Sequence, residues 1–183
     1  LSLVGVYRNY QRDYQPLYVN PFREQVSQAS NEKGIYFGLA SQINSQFTLS
    51  MYIDKFKFPW LTYYNDGPSQ GFDYLGQLTY KPTKKMEFYI YYRAKSKEKG
   101  YLLPGNKTKQ LFADTGQTLR FYGSYKITDA IKIQTRVQFA KWDYENNIKE
   151  VKNGFLVYQD VIYDPLSSKY SFTLRYCLIE SEN

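Results

Sequence analysis

From Met86 to Lys95 every second side chain is apolar: Met86, Phe88, Ile90, Tyr92 and Ala94 alternate with Glu87, Tyr89, Tyr91, Arg93 and Lys95. A strand turns successive side chains to opposite faces, so this run specifies a strand with one greasy and one polar side and does not fit a helix. The split recurs. Between 118 and 128, Leu119, Phe121, Gly123, Tyr125 and Ile127 oppose Thr118, Arg120, Tyr122, Ser124 and Lys126. Between 131 and 139, Ile131, Ile133, Thr135, Val137 and Phe139 oppose Lys132, Gln134, Arg136 and Gln138, and between 170 and 178, Phe172, Leu174, Tyr176 and Leu178 oppose Ser171, Thr173, Arg175 and Cys177.

Helical periodicity is scarce, and the alternating segments predict nine strands at about 1–10, 34–43, 47–58, 72–81, 86–98, 118–128, 131–146, 154–164 and 170–179. Most run near ten residues, longer than the about five or six usual in soluble domains and close to the about nine to eleven of a tilted strand crossing a bilayer. Connections at 44–46, 82–85, 129–130 and 165–169 are short, and those at 11–33, 59–71, 99–117 and 147–153 are long. Such alternation is the pattern of antiparallel outer-membrane barrels. The expected fold is therefore all-β, one domain over 1–183: an antiparallel up-and-down transmembrane β-barrel. The first and ninth strands climb the same way and both ends read as cuts through a longer chain, so a fragment of a larger barrel is expected. In 47–58 the apolar set Phe47, Leu49, Met51 and Ile53 shifts phase to Phe56 and Phe58, which predicts a bulge or the extracellular rim. The phase of 154–164 stays open.

Composition narrows the chemistry. The chain of 183 residues has no histidine, which removes Ser-His-Asp and Cys-His catalysis, imidazole zinc sites and the usual acid–base group near neutral pH. Cys177 stands alone, so neither a disulfide framework nor a thiolate metal cluster is available. Asp143 and Glu145 share one side of a strand, an arrangement that hydrophilic surface also produces. No catalytic activity, metal or cofactor is expected. The mean hydropathy of -0.60 and the lack of a long uncharged apolar run exclude a membrane-spanning helix.

The excess of 24 Lys+Arg over 17 Asp+Glu gives a net charge of +7, and its placement matters more than its size. Arg93, Arg120, Lys126, Lys132, Arg136 and Arg175 fall in mid-strand on the polar side. A dry core does not accept six such charges without partners, whereas a wet lumen does. They are candidate lumen-lining residues that attract anions; the competing reading is a filled interior in which Glu87 and Asp160 pair with them. Tyr7, Tyr36, Tyr80, Tyr92, Tyr125 and Tyr176 are candidates for an interfacial aromatic girdle. In the long loop 11–33, Arg12, Asp13, Tyr14, Tyr18, Phe22 and Arg23 mix rings with charge, as a sugar- or protein-binding surface does and as a folded lid held by the same tyrosines also does. Nucleic acid is not an expected partner, because Lys81, Lys84 and Lys85 at a turn and Lys95, Lys97 and Lys99 at a strand end read as solvated rims.

Tyr7-Arg8-Asn9-Tyr10, Tyr14-Gln15-Pro16-Leu17-Tyr18, Asn20-Pro21-Phe22, Asn31-Glu32-Lys33-Gly34, Phe58-Pro59-Trp60 and the segment from Asp66-Gly67-Pro68-Ser69 to Asp73-Tyr74-Leu75 carry a resemblance. Over most of its length the chain resembles the barrel portion of Bacteroidota outer-membrane proteins that carry an amino-terminal helix-hairpin-helix region. That region is absent here, so the DNA binding its name suggests has no residues to rest on. The resemblance implies the outer membrane of a Gram-negative bacterium and no particular activity. The expected function is an outer-membrane β-barrel with a structural, partner-binding or solute-passage role and a basic lumen. Its expected partners are outer-membrane lipid and a protein of an outer-membrane complex. The alternative is a soluble β-sandwich or lipocalin-like ligand-binding module, which buries the same apolar side internally.

Overall fold

The computed structural model describes residues 1–16, 22–24, 30–145, 150–166 and 169–182. They form β1 (Ser2–Tyr10), β2 (Glu32–Gln42), β3 (Phe47–Phe58), β4 (Ser69–Thr83), β5 (Met86–Tyr101), β6 (Gln110–Lys126), β7 (Ile131–Tyr144), β8 (Glu150–Tyr163) and β9 (Phe172–Ser181). Each strand pairs with its chain neighbours, giving one antiparallel up-and-down sheet in the order β1 to β9, without helix among the described residues. These nine strands do not close into a barrel. β1 and β9 run in the same direction, so they offer each other no antiparallel ladder, and they are the two edges of the sheet.

Several strands exceed their expected bounds toward the long connections. The loop expected at 99–117 contracts to 102–109, and β8 already begins at Glu150 inside the loop expected at 147–153. Ser96, Glu98 and Gly100 occupy positions where the alternation calls for apolar groups, so the expected strand stopped at 98, three residues short of the end of β5. The strict alternation of connection length also fails near the end, where 145–149 is shorter than 164–171. No bulge interrupts β3, which pairs without a break to β2 and β4. Phe56 and Phe58 instead turn to the polar side, and the irregularity lies between β4 and β5 at Tyr80/Thr83.

The registers align the alternating sets of all nine strands. Arg8, Gly34, Phe56, Gly71, Lys97, Asp114, Tyr144 and Glu150 form one row on the polar face. The opposite face carries Leu3, Phe37, Met51, Leu78, Ile90, Phe121, Val137, Val157 and Leu178, one from each strand. The open phase of 154–164 resolves the same way, with Val157 and Val161 on this apolar face and Asp160 on the other. Tyr36, expected in a girdle, is a correction: it lies on the polar face between the rings of Phe22 and Tyr52. Tyr7, Tyr80, Tyr92, Tyr125 and Tyr176 do lie on the apolar face, although Tyr92 sits midway along β5.

Domains are normally two or more layers around a shared apolar core, and this sheet is a single layer. Its apolar face is uncovered: Phe37 is 51%, Ile90 50% and Phe121 41% exposed. Among the described residues, the buried apolar side chains are Phe56, Phe58 and Ala94, whereas Arg8, Glu32, Asp54, Asn65, Asp73, Asp114 and Asp160 are buried as well. The buried centre is thus largely ionic and lies on the polar face, most of it near the long connections, with Asp160 apart toward the other end of β8.

The apolar side chains form a bounded band. They begin near the short connections and give way to Lys33 on β2, Lys55 on β3, Gln70 on β4, Ser96 on β5, Gln117 on β6, Lys141 on β7, Asn153 on β8 and Glu180 on β9. Thr135 and Gln159, paired with each other, interrupt it in mid-strand. The upper edge runs obliquely to the ladder: the row Phe37, Ile53, Tyr74, Ala94, Gln117, Lys141, Asn153 is apolar from β2 to β5 and polar from β6 to β8.

Candidate functional site

Arg8 projects from β1 onto the polar face across Gly34 of β2, where a Cβ would come within 2.5 Å of the guanidinium carbon. Glycine at 34 is therefore what lets the guanidinium lie flat on the sheet. Arg8 donates through Nε to Glu32 and through both terminal nitrogens to Asp54, at 2.8 and 3.0 Å. Its side chain is 1% exposed and that of Glu32 0%. An arginine between two carboxylates at this burial is a closed unit, in which each of the three guanidinium nitrogens donates to a carboxylate oxygen.

The long connections fold over this unit. Glu24 donates its backbone N–H to both Glu32 oxygens at 3.0 Å and accepts Lys95 Nζ at 2.6 Å, so the segment 22–24 links β2 to β5. Phe22 packs edge-on against Tyr36 and stands 5.1 Å from the Arg8 guanidinium. Asn31, in the left-handed region at φ 55, accepts the Trp60 N–H and donates to the Trp60 and Leu61 carbonyls. Asn65 does the same one connection later, donating to Ser69 and the Glu98 carbonyl and accepting the Gly100 N–H. Beyond the apolar band at the end of β5, Tyr101 donates to Asp114 at 2.7 Å. Burial first, and that hydrogen bond second, hold its phenol well above the usual tyrosine range.

These residues are the ones whose motifs carried only a resemblance in the sequence. Tyr7-Arg8-Asn9-Tyr10, Asn31-Glu32-Lys33-Gly34 and Phe58-Pro59-Trp60 converge on one ionic and aromatic knot. Asp54, Asp73, Glu24, Lys95 and Asn65 were missed as site residues. The signal for Asp54 was present: it is the charge at which the apolar phase of 47–58 breaks.

Of the expected loop-binding residues, Arg12, Tyr14 and Phe22 are exposed and each also touches a neighbouring ring or cation. Arg12 stands over the Trp60 ring at 5.5 Å, Tyr14 stacks on Tyr10 at 5.2 Å, Tyr10 donates to the Phe22 carbonyl, and Arg23 is engaged too. Tyr18 lies outside the described residues.

The six candidate lumen residues share the polar face but divide into two kinds. Arg93 forms a double hydrogen bond with Asp73 at 2.9 and 2.5 Å, and Arg175 another with Asp160 at 2.7 and 2.8 Å. Glu87 takes Lys81 at 2.8 Å. Arg120 and Arg136 both donate to the same neutral oxygen, Gln138 Oε1, the former at 3.0 Å. Lys126 and Lys132 face each other directly across β6 and β7. A recess of about 580 Å³ opens on the other side of the sheet among Tyr92, Leu119, Phe139 and Phe155. The described residues hold no group of His, Cys, Asp and Glu able to bind a metal.

No protein-family model, curated protein or solved structure matches the chain.

Proposed function

We propose that the chain forms part of the wall of an outer-membrane β-barrel in a Gram-negative bacterium, with its polar face toward a wet interior. The carrying observation is the uncovered apolar band that all nine strands share and that stops at polar residues on β2 to β9. On β5 it spans Met86 to Ala94. Nine residues cover roughly 27 Å of strand, and at a tilt of roughly 40° this is roughly 20 Å of height, close to the ~25 Å apolar belt of such barrels. The oblique upper edge supports the same reading, because a flat slab crossing tilted strands cuts the ladder rows at an angle.

In this arrangement the Arg8 knot and the folded connection 22–24 sit above the membrane and narrow the entrance, while the basic residues of β6 and β7 line the interior. Further antiparallel strands, odd in number, complete the ring. The motif resemblance makes the Bacteroidota the proposed source, and outer-membrane lipid the first partner. The role is structural and solute-facing rather than catalytic. A soluble sandwich or lipocalin-like module needs a second layer over Phe37, Ile90 and Phe121.

The test is fractionation of cells expressing the intact protein. The proposal expects it in the outer-membrane fraction, retained through alkaline and urea washes and released by detergent. Recovery by aqueous extraction alone overturns it.

A further inference from the structure

The polar face of the β6–β7 hairpin differs from its surroundings in one respect. From Thr118 to Lys126 and from Lys132 to Ala140 it presents Arg120, Lys126, Lys132 and Arg136 and no carboxylate at all. On the strands to either side, β4 and β5 and then β8 and β9, by contrast, Arg93 holds Asp73, Lys81 holds Glu87 and Arg175 holds Asp160. The chain has acids enough to neutralise cations nearby and has placed none on this stretch of the polar face, the nearest on the same face of β6 being Asp114.

The two arginines are also brought together. Arg120 from β6 and Arg136 from β7 converge on Gln138 Oε1, one uncharged acceptor between two cations. Tyrosine rings back them on either side: Arg120 lies 4.6 Å from the Tyr91 centroid, and Arg136 lies 5.7 Å from that of Tyr158. Arg136 Nε is buried and has no hydrogen-bond partner among the described residues. A buried charged donor left open costs more than an ordinary unmade bond, and two guanidiniums sharing one amide repel each other unless an anion joins them. The planar forks suit the paired oxygens of a phosphate or carboxylate, and rings behind them hold the forks in place.

We propose that this hairpin is an oxyanion-binding site, with Arg120 and Arg136 as the primary ligands, Gln138 as their spacer, and Lys126 and Lys132 drawing the anion from the short-connection end. It deepens the wet-interior reading and rests on the polar face being open to water. The solute class is small molecules carrying a phosphate or carboxylate group.

The test uses the full chain, labelled with 15N at arginine and folded in detergent micelles, titrated with inorganic phosphate at constant ionic strength. The Arg120 and Arg136 Nε signals are expected to move and saturate, while those of Arg93 and Arg175 stay still because their forks are already occupied. Acetate in place of phosphate separates the two sources: saturation by both means that any paired oxygens suffice, and saturation by phosphate alone assigns the site to phosphate esters. Gln138→Glu supplies an internal carboxylate and is expected to weaken binding roughly tenfold or more without unfolding the sheet. Equal, non-saturating shifts at all four arginines, or unchanged binding in Gln138→Glu, overturn the proposal. Loss of the membrane reading is read separately: if the chain folds without detergent, the same titration in water still decides the anion site.

Discussion

Arg8 is the residue on which the buried structure converges, and its neighbours are chosen to receive it. Removing one member of a buried ionic group leaves the others charged and without a partner, a loss of about 3–5 kcal/mol. Arg8→Met is expected to lower stability by that amount in denaturant titrations of the folded protein, more than replacement of the exposed Lys81 of the Lys81–Glu87 pair. Gly34→Ala reaches the same site from below, since the added carbon collides with the guanidinium, and is expected to act through loss of the Arg8 contacts. Gly116 plays the matching part for the Trp142 ring that lies over it. Tyr101 adds a pH dependence. Its raised folded-state value means that its stabilising contribution is complete below about pH 10, the range where an unfolded tyrosine keeps its proton, and is lost as pH rises through the folded value. Tyr101→Phe is expected to remove that alkaline step from a stability profile measured against pH.

At the scale of the strand, the sequence was most legible where one face is purely apolar. β5, β6 and β7 show their split in a plain reading of Met86 to Ala94, Leu119 to Tyr125 and Ile131 to Phe139, because period two is all that a half-apolar strand has to encode. Above the band the apolar–polar split fades, so Lys99 to Tyr101 and Gln110 to Gln117 lose the signal even though their ladder continues. The ionic knot was illegible for a different reason. Arg8, Glu32 and Asp54 come from three strands, and only the register tells that they meet. The loop stitches were hidden likewise: Asn31 and Trp60 are brought together by the fold, and Asn31→Ala is expected to free the connection 59–68, seen as faster hydrogen exchange at Trp60. The apolar face itself makes a sharper prediction. Ile90 stands at the middle of the band on β5, and Ile90→Arg is expected to cost about 2–4 kcal/mol in a bilayer, against about 0.5 kcal/mol or less for Gln70→Arg above the band. Equal and small effects from the two substitutions are the result a water-facing surface gives.

For the molecule as a whole, the proposed placement has one sheet satisfy two solvents. A single layer with bare Phe, Ile and Leu on one side has no stable place in water unless something covers it, and an exposed apolar surface of this extent marks contact with lipid or protein. Lipid accounts for the band's height, its polar upper limit and its slant with one assumption. The charges on the other side then need no dry partners, which explains how Lys126 and Lys132 can stand opposite one another. The most direct measurement places nitroxide labels singly from Glu87 to Arg93 of a Cys177→Ser background reconstituted in bilayers, and compares collisions with oxygen and with a water-soluble nickel chelate. Labels at Phe88, Ile90 and Tyr92 are predicted to meet oxygen and exclude nickel, with the reverse at Tyr89, Tyr91 and Arg93; nickel reaching both sets equally would contradict the account.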